Sequence, residues 1–150
     1  MVRPQWLQRG RRGTTTVEMA AVCGVFLLFL FGVIEYCRFV YVRNVVVNAA
    51  RDGARYAVVH TNNTTTLVGD TQTHVKALMG GLDKTMTKYS CLVYLANSSG
   101  VNIGQPYDAA FGQYIAVEVS LEYTPVLPSF LFMNKTYTMS SKSMMNSEAN

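Results

Sequence analysis

Three hydrophobic patterns follow one another along the chain, and each predicts a different element. The first is continuous: from Met19 to Ile34 no residue carries a charge. With Thr14 to Glu18 added, the stretch makes a helix of about 31 Å at roughly 1.5 Å per residue, which matches the about 30 Å hydrocarbon core of a bilayer. One membrane-spanning helix is therefore expected over residues 14–35. The second pattern is helical and one-sided. Between Glu35 and Val59 there is no proline and the one glycine is Gly53, so the same helix is expected to continue over residues 36–60. Around its circumference Asn44, Asn48, Arg51 and Arg55 share one stripe, and Val42, Val46, Ala49, Gly53 and Ala57 lie opposite. The second stripe is small and apolar, suited to close packing against a sheet, with Ala49, Gly53 and Ala57 as the expected points of approach. Asp52 is placed to pair with Arg55 three residues on.

The third pattern has period two. Ile115, Val117, Val119 and Leu121 alternate with Tyr114, Ala116, Glu118, Ser120 and Glu122, which predicts a strand over 113–123 with one buried face. Ser90 to Ala96 reads as another strand, and Lys135 to Met144 as a last one. Asn97 to Gly104 reads as a turn before or inside a hairpin. Pro125 and Pro128 interrupt the sheet, and Ser129 to Met133 form an apolar turn. Between the long helix and the strands, Thr61 to Thr66 is rich in side chains that compete for backbone hydrogen bonds. A shorter helix is expected from about Asp70 to Met79, capped by Asp70 or Thr71 and ended by Gly80 and Gly81. The fold class that buries these faces most simply is α+β: a long N-terminal helix packed along its outer half on a small antiparallel sheet, with one shorter helix in a domain over residues 61–150.

The net charge of +4 alters this picture less than it first suggests. Arg3, Arg9, Arg11 and Arg12 all precede Gly13, and setting those four aside leaves basic and acidic residues balanced at nine each. The excess is a short leader beside an apolar helix, residues 1–13. By the positive-inside rule it keeps the N-terminus cytoplasmic and sends the C-terminal domain outside. A nucleic-acid partner is not expected; membrane lipid is. The apolar run exceeds the usual 7 to 15 residues of a secretory signal core, and no small-x-small site ends it, so the helix is expected to remain in the protein.

Candidate chemistry is sparse. Cys23 and Cys37 are roughly 21 Å apart along a helix, beyond disulfide reach, whereas Cys37 with Cys91 stays open. There is no CxxC pair and no histidine cluster, so neither a metal site nor a cofactor is expected. His60 and His74 are expected on loop and helix surface. Asn62, Asn63, Asn97 and Asn134 head N-x-S/T triplets, a pattern short enough to occur by chance. Without a Ser-His-Asp context, a phosphate loop or a recognisable carboxylate pair, catalysis is not expected either. The residue that asks for a reason is Glu18, since a carboxylate costs about 2.5–3.5 kcal/mol at the centre of a span and less at its edge. It could lie at the cytoplasmic interface near Arg11 and Arg12. Alternatively, cleavage after Gly13 would leave the α-amino group of Thr14 one turn away, an amine to match the acid in the same or a neighbouring helix.

A basic leader, then Gly13, Thr14-Thr15-Thr16-Val17-Glu18 and a hydrophobic helix, resembles the G-x-x-x-x-E motif of type IV pilins and pseudopilins. From Arg12 to Val59 the sequence resembles the TadE-like family, minor pseudopilins of the tight-adherence (Tad, type IVc) pilus. The most specific parts are the Gly13 to Glu18 spacing and NAARDGARYAVV, Asn48 to Val59. The resemblance implies a pilin-like fold and a prepilin peptidase acting between Gly13 and Thr14, with Arg9, Arg11 and Arg12 as leader charge. It also implies Glu18 as the residue that governs recognition and assembly, and the Tad secretion platform and other pilins or pseudopilins as partners. Met19 stands where major pilins of this system have Tyr, and a chain running from Thr14 to Asn150 exceeds their length; both departures imply a minor subunit. The alternative is an unprocessed single-pass membrane protein whose outer domain binds a ligand or partner through residues such as Tyr89, Tyr94 and Tyr107.

Overall fold

A computed structural model describes residues 11–61, 65–126 and 136–147, with the side chains of Arg11, Arg12 and Thr14 left out of the description. The expected apolar turn from Ser129 to Met133 lies outside these residues, as do Arg9 and the triplet residues Asn62, Asn63 and Asn134. The elements in chain order are α1 (Arg11–Val59), α2 (Leu67–Leu78), α3 (Leu82–Thr85), β1 (Thr87–Ala96), β2 (Asn102–Gly104), a 3₁₀ turn (Pro106–Asp108), β3 (Tyr114–Tyr123) and β4 (Tyr137–Asn146). The fold is α+β, as the sequence predicts. The chain divides into two units, Met1–Cys37 and Arg38–Asn150.

In the first unit α1 is apolar around its whole circumference from Met19 to Ile34, and no residue of its most hydrophobic window is buried. Phe26 and Phe29 leave 59% and 68% of their surface uncovered. Such a surface in water would cost roughly 25 cal/mol per Å² of apolar area.

In the second unit the same helix becomes one-sided. Val42, Val46, Ala49, Ala50, Gly53, Ala54, Ala57 and Val58 are buried, while Arg43, Asn44, Asn48, Arg51 and Arg55 are exposed. The buried stripe lies against a sheet of strand order β2-β1-β3-β4, antiparallel throughout. From β3 it meets Ile115, Val117, Val119, Leu121 and Tyr123, all essentially without solvent contact. At one end Phe39 packs edge-on to Tyr123 and Tyr137, with ring centroids 5.6 and 6.2 Å apart. Farther along, Gly53 approaches Val117. Phe39 to Gly53 is about 21 Å along a helix and Tyr123 to Val117 about 20 Å along a strand. Hence α1 runs along β3 in the opposite direction, and its outer half spans much of the sheet.

The close approach explains the glycine. A Cβ at Gly53 would lie 3.3 Å from Cγ1 of Val117 and would collide with Cγ2 of Val75 on α2. Three elements meet where this residue has no side chain.

Several boundaries differ from expectation, and β1 begins at Thr87, three residues before Ser90. α2 begins at Leu67, with Thr66 at the capping position and no side-chain cap, because Leu67, Thr71 and Val75 form one buried stripe that draws the first turn into the core. Asp70 therefore sits within the first turn, near the positive end of the helix dipole, and does not cap it. Gly80 and Gly81 follow α2 at φ +57° and +87°, left-handed conformations that end a helix at little cost for glycine. β4 runs from Tyr137 to Asn146, two residues later than predicted, since its register spans β3 from Tyr123 to Tyr114. α3 is an element that no pattern in the sequence announces.

Replacing Gly53 tests this contact. Alanine gains about 1 kcal/mol in helix propensity, but overpacking a fitted core costs about 1–3 kcal/mol, so Gly53→Ala is expected to lower the Tm by a few degrees in detergent and Gly53→Leu by more. Gly69→Ala on α2, with open space at its Cβ position, is the control and should leave the Tm unchanged or raise it. An unchanged Tm for Gly53→Leu would contradict the packing described.

Candidate functional site

The Gly13–Glu18 segment lies in the first turns of α1. Gly13, Thr15, Thr16, Val17 and Glu18 are exposed, and a Cβ at Gly13 would meet nothing within 4 Å. Thr14 and Glu18 are four residues apart, which puts them on one helix face about 6 Å apart along the axis. An α-amino group at Thr14 would add its charge to the positive end of the helix dipole, the end where a carboxylate is stabilised. Local sequence also makes this turn weak. Gly13 is followed by three β-branched threonines, all poorer helix formers than alanine, so opening the turn to an extended form costs less here than in the leucine-rich stretch that follows. Gly13 thus combines exposure with a low cost of unwinding.

The Asn48 to Val59 segment is occupied with packing. Asp52 Oδ2 lies 3.1 Å from Nε2 of His74 on α2, so the expected pairing with Arg55 is replaced by one across two helices. Tyr56 is stacked between two imidazoles, with centroids 4.0 Å from His60 and 4.6 Å from His74. His60 Nδ1 lies 2.8 Å from the Tyr56 carbonyl oxygen. Asp52, Tyr56 and His74 together pin α2 onto the outer half of α1. The four-residue spacing from Asp52 to Tyr56 to His60 was visible in the sequence, but His74 comes from another element and no local pattern announces it. Ala49, Gly53 and Ala57 sit in the buried stripe, whereas Arg51 and Arg55 are exposed and border an open groove of about 520 Å³ with Asn48 and Leu78.

The other face of the sheet has a small cluster of its own. Tyr94, Ala96 and Ala116 are buried together, beneath the turn that follows β1. Asn97 Oδ1 accepts from the backbone N–H groups of Ser99 and Val101 at 3.0 and 2.9 Å, the use of a turn asparagine that mimics a backbone bond. Lys142 Nζ donates to the Gly100 carbonyl at 2.7 Å, tying that turn to β4. Tyr94 donates its hydroxyl hydrogen to Glu118 at 3.2 Å, and Lys88 pairs with Glu122 at 2.6 Å. These carboxylates therefore serve the sheet surface and do not reach Arg51 or Arg55. Tyr107 and Tyr114 are exposed.

Among the described residues no three His, Cys, Asp or Glu side chains converge on a common point. The cysteines are free thiols, Cys23 and Cys37 exposed and Cys91 buried. Burial pushes the Cys91 thiol up to about 11, against a smaller lowering by the neighbouring Tyr89 hydroxyl. Burial also raises the Tyr89 phenol, beside Cys91 and Asp83.

Residues 13–55 match the model of the family described as TadE-like protein. The match begins at Gly13, includes Glu18 and Gly53, and ends at Arg55; over this segment it bears out the resemblance read from the sequence, and it leaves the sheet uncovered. No curated protein and no solved structure matches the chain.

Thiol labelling checks the cysteine geometry. In detergent at neutral pH a water-soluble maleimide is expected to modify Cys37 and spare Cys91, which should react only after unfolding; burial and a raised pKa both suppress its thiolate. Rapid modification of Cys91 in the folded protein, or a Cys37–Cys91 disulfide in material isolated without reductant, would contradict the structure.

Proposed function

We propose that the chain is a minor pseudopilin of a Tad-type pilus, a non-enzymatic subunit held in the inner membrane by α1. In this reading the N-terminus faces the cytoplasm and the Arg38–Asn150 unit lies outside. A prepilin peptidase removes residues 1–13, and the mature protein initiates, caps or supports the pilus with other pilins or pseudopilins of the Tad secretion platform, in adhesion or secretion. The observation that carries the proposal is the union, within the TadE-like segment, of the Gly13 to Glu18 spacing with an apolar helix window in which no residue is buried among the described residues. A surface of that kind suits lipid before assembly and neighbouring helices after it. The new terminal amine at Thr14 and the Glu18 carboxylate then compensate each other in a low-dielectric setting, where an unpaired charge is expensive.

A second reading, a single-pass protein that keeps residues 1–13 and binds a partner through its outer unit, draws on the open groove beside Arg51 and Arg55. Processing separates the two.

In cells carrying the Tad machinery, Gly13→Leu is expected to accumulate in the inner membrane as a precursor retaining residues 1–13. Glu18→Ala should be cleaved but lost from sheared fibres. Normal pili on cells whose sole copy is Gly13→Leu would exclude processing as a requirement, and wild-type recovery of Glu18→Ala in fibres would reduce Glu18 to an interfacial residue.

A further inference from the structure

We infer that the exposed face of α1 bearing Asn48, Arg51 and Arg55, with the groove beside it, is a docking site for an acidic segment of a different protein subunit. That segment carries two carboxylates about 6 Å apart and an aliphatic side chain. The inference concerns the Arg38–Asn150 unit alone and holds whether or not residues 1–13 are removed. It begins with rotation. Packing the small stripe of α1 on the sheet turns Asn44, Asn48, Arg51 and Arg55 outward, and all four are exposed. Arg51 and Arg55 are one turn apart, so they rise from one face about 6 Å apart along the axis. An exposed arginine in water is ordinary and carries little energy by itself. What sets this pair apart is its surroundings.

The fold withholds carboxylates from the pair. Asp52 stands between Arg51 and Arg55 in the sequence, but its Oδ2 is turned to Nε2 of His74 at 3.1 Å. Asp83, Glu118 and Glu122 are engaged by Lys76, Tyr94 and Lys88. Among the described residues neither Arg51 nor Arg55 has a side-chain hydrogen bond or an ion pair. Beside the two guanidiniums, the groove of about 520 Å³ is lined by the apolar side chains of Val45, Ala49, Leu78 and Met145. Cations next to apolar surface select an occupant that is anionic and apolar at once. Each guanidinium matches a carboxylate through paired N–H groups, and an aliphatic side chain seated on the apolar lining excludes water, which strengthens those pairs. Carboxylates four residues apart on a helix, or two apart on a strand, have the required spacing of about 6–7 Å. A headgroup phosphate satisfies the guanidiniums and leaves the apolar lining bare. A second copy of the chain presents the same arginines on its own α1, and like charges repel across an interface. A different, acidic subunit fits both features.

Photocrosslinking of the full chain in the cells that express it tests this. A benzophenone amino acid in place of Asn48 is expected to crosslink to another protein subunit. Mass spectrometry of the linked peptide should show two Asp or Glu residues two or four positions apart. The double variant Arg51→Glu, Arg55→Glu should lower the crosslink yield at least about tenfold, with little change in Tm because both side chains are exposed. Changing the two acidic residues of the linked peptide to Lys should restore the yield. If the double variant does not fold, Arg55→Gln carries the measurement, with a smaller loss. The same crosslinker at Ser140, exposed on β4 next to the buried Met139 and so on the opposite face of the sheet, is the control and should not reach that peptide. A crosslink from position 48 to lipid, to a second copy of the chain or to a peptide without acidic residues would overturn the inference. So would the absence of any crosslink, a yield indifferent to reversal of the arginines, or a charge swap that fails to restore it. The mass of the crosslinked chain reads processing separately: residues 1–13 retained on a chain that crosslinks as expected would overturn the cleavage reading and leave this inference standing.

Discussion

The approach of α1 to β3 and α2 at Gly53 is the contact on which the rest of the Arg38–Asn150 unit depends. Helix and sheet come close because Ala49, Ala50, Gly53, Ala54 and Ala57 present almost no side chain, which lets the larger residues of β3 and α2 supply the bulk. Val117 and Val75 fill the space that a larger helix residue would claim. That division of volume fixes the rotation of α1, since any other face would bring Arg51, Arg55 or Asn48 into the core without partners, at several kcal/mol for each buried charge. With the rotation set, Asp52 and Tyr56 fall where His74 can meet them.

One helix thereby serves two environments. From Met19 to Ile34 its sequence makes no distinction between faces, and no residue of its most hydrophobic window is buried among the described residues. After Val42 it distinguishes two faces sharply. The change occurs without a break, in a single helix that runs from Arg11 to Val59. A continuous helix tolerates such a change of surroundings, because its backbone hydrogen bonds are satisfied internally whether lipid, protein or water surrounds it. It also means that the charge at Glu18, exposed among the described residues, is judged by what lies beside the first turns of α1.

Much of this was legible in the sequence because the signals were periodic. The small stripe from Val42 to Ala57 and the alternation from Ile115 to Leu121 each specify a face, and a face specifies a partner. What escaped was set by tertiary contact. Leu67 enters α2 because its side chain completes a buried stripe, although Asp70 offers better local capping chemistry. Asp52 turns to His74 because α2 brings an imidazole within reach, and a neighbouring arginine on the same helix has no such advantage on an exposed surface. The covering of Tyr94 and Ala116 depends on a turn whose lysine anchor comes from β4, forty-two positions later in the chain. The Gly13 to Glu18 spacing was legible as a motif, and the structure adds to it the exposure of Gly13 and Glu18 in a turn of weak helix formers.

Hydrogen exchange on the full chain in nanodiscs, read by mass spectrometry through a denaturant series, tests most directly the claim that the outer half of α1 is the core of its domain. Amides from Val42 to Val58 are predicted to open together with those of β3, as one cooperative unit. Exchange of Val42 to Val58 at denaturant concentrations that leave β3 fully protected would contradict the account, for the helix would then be lying beside the sheet without holding it together.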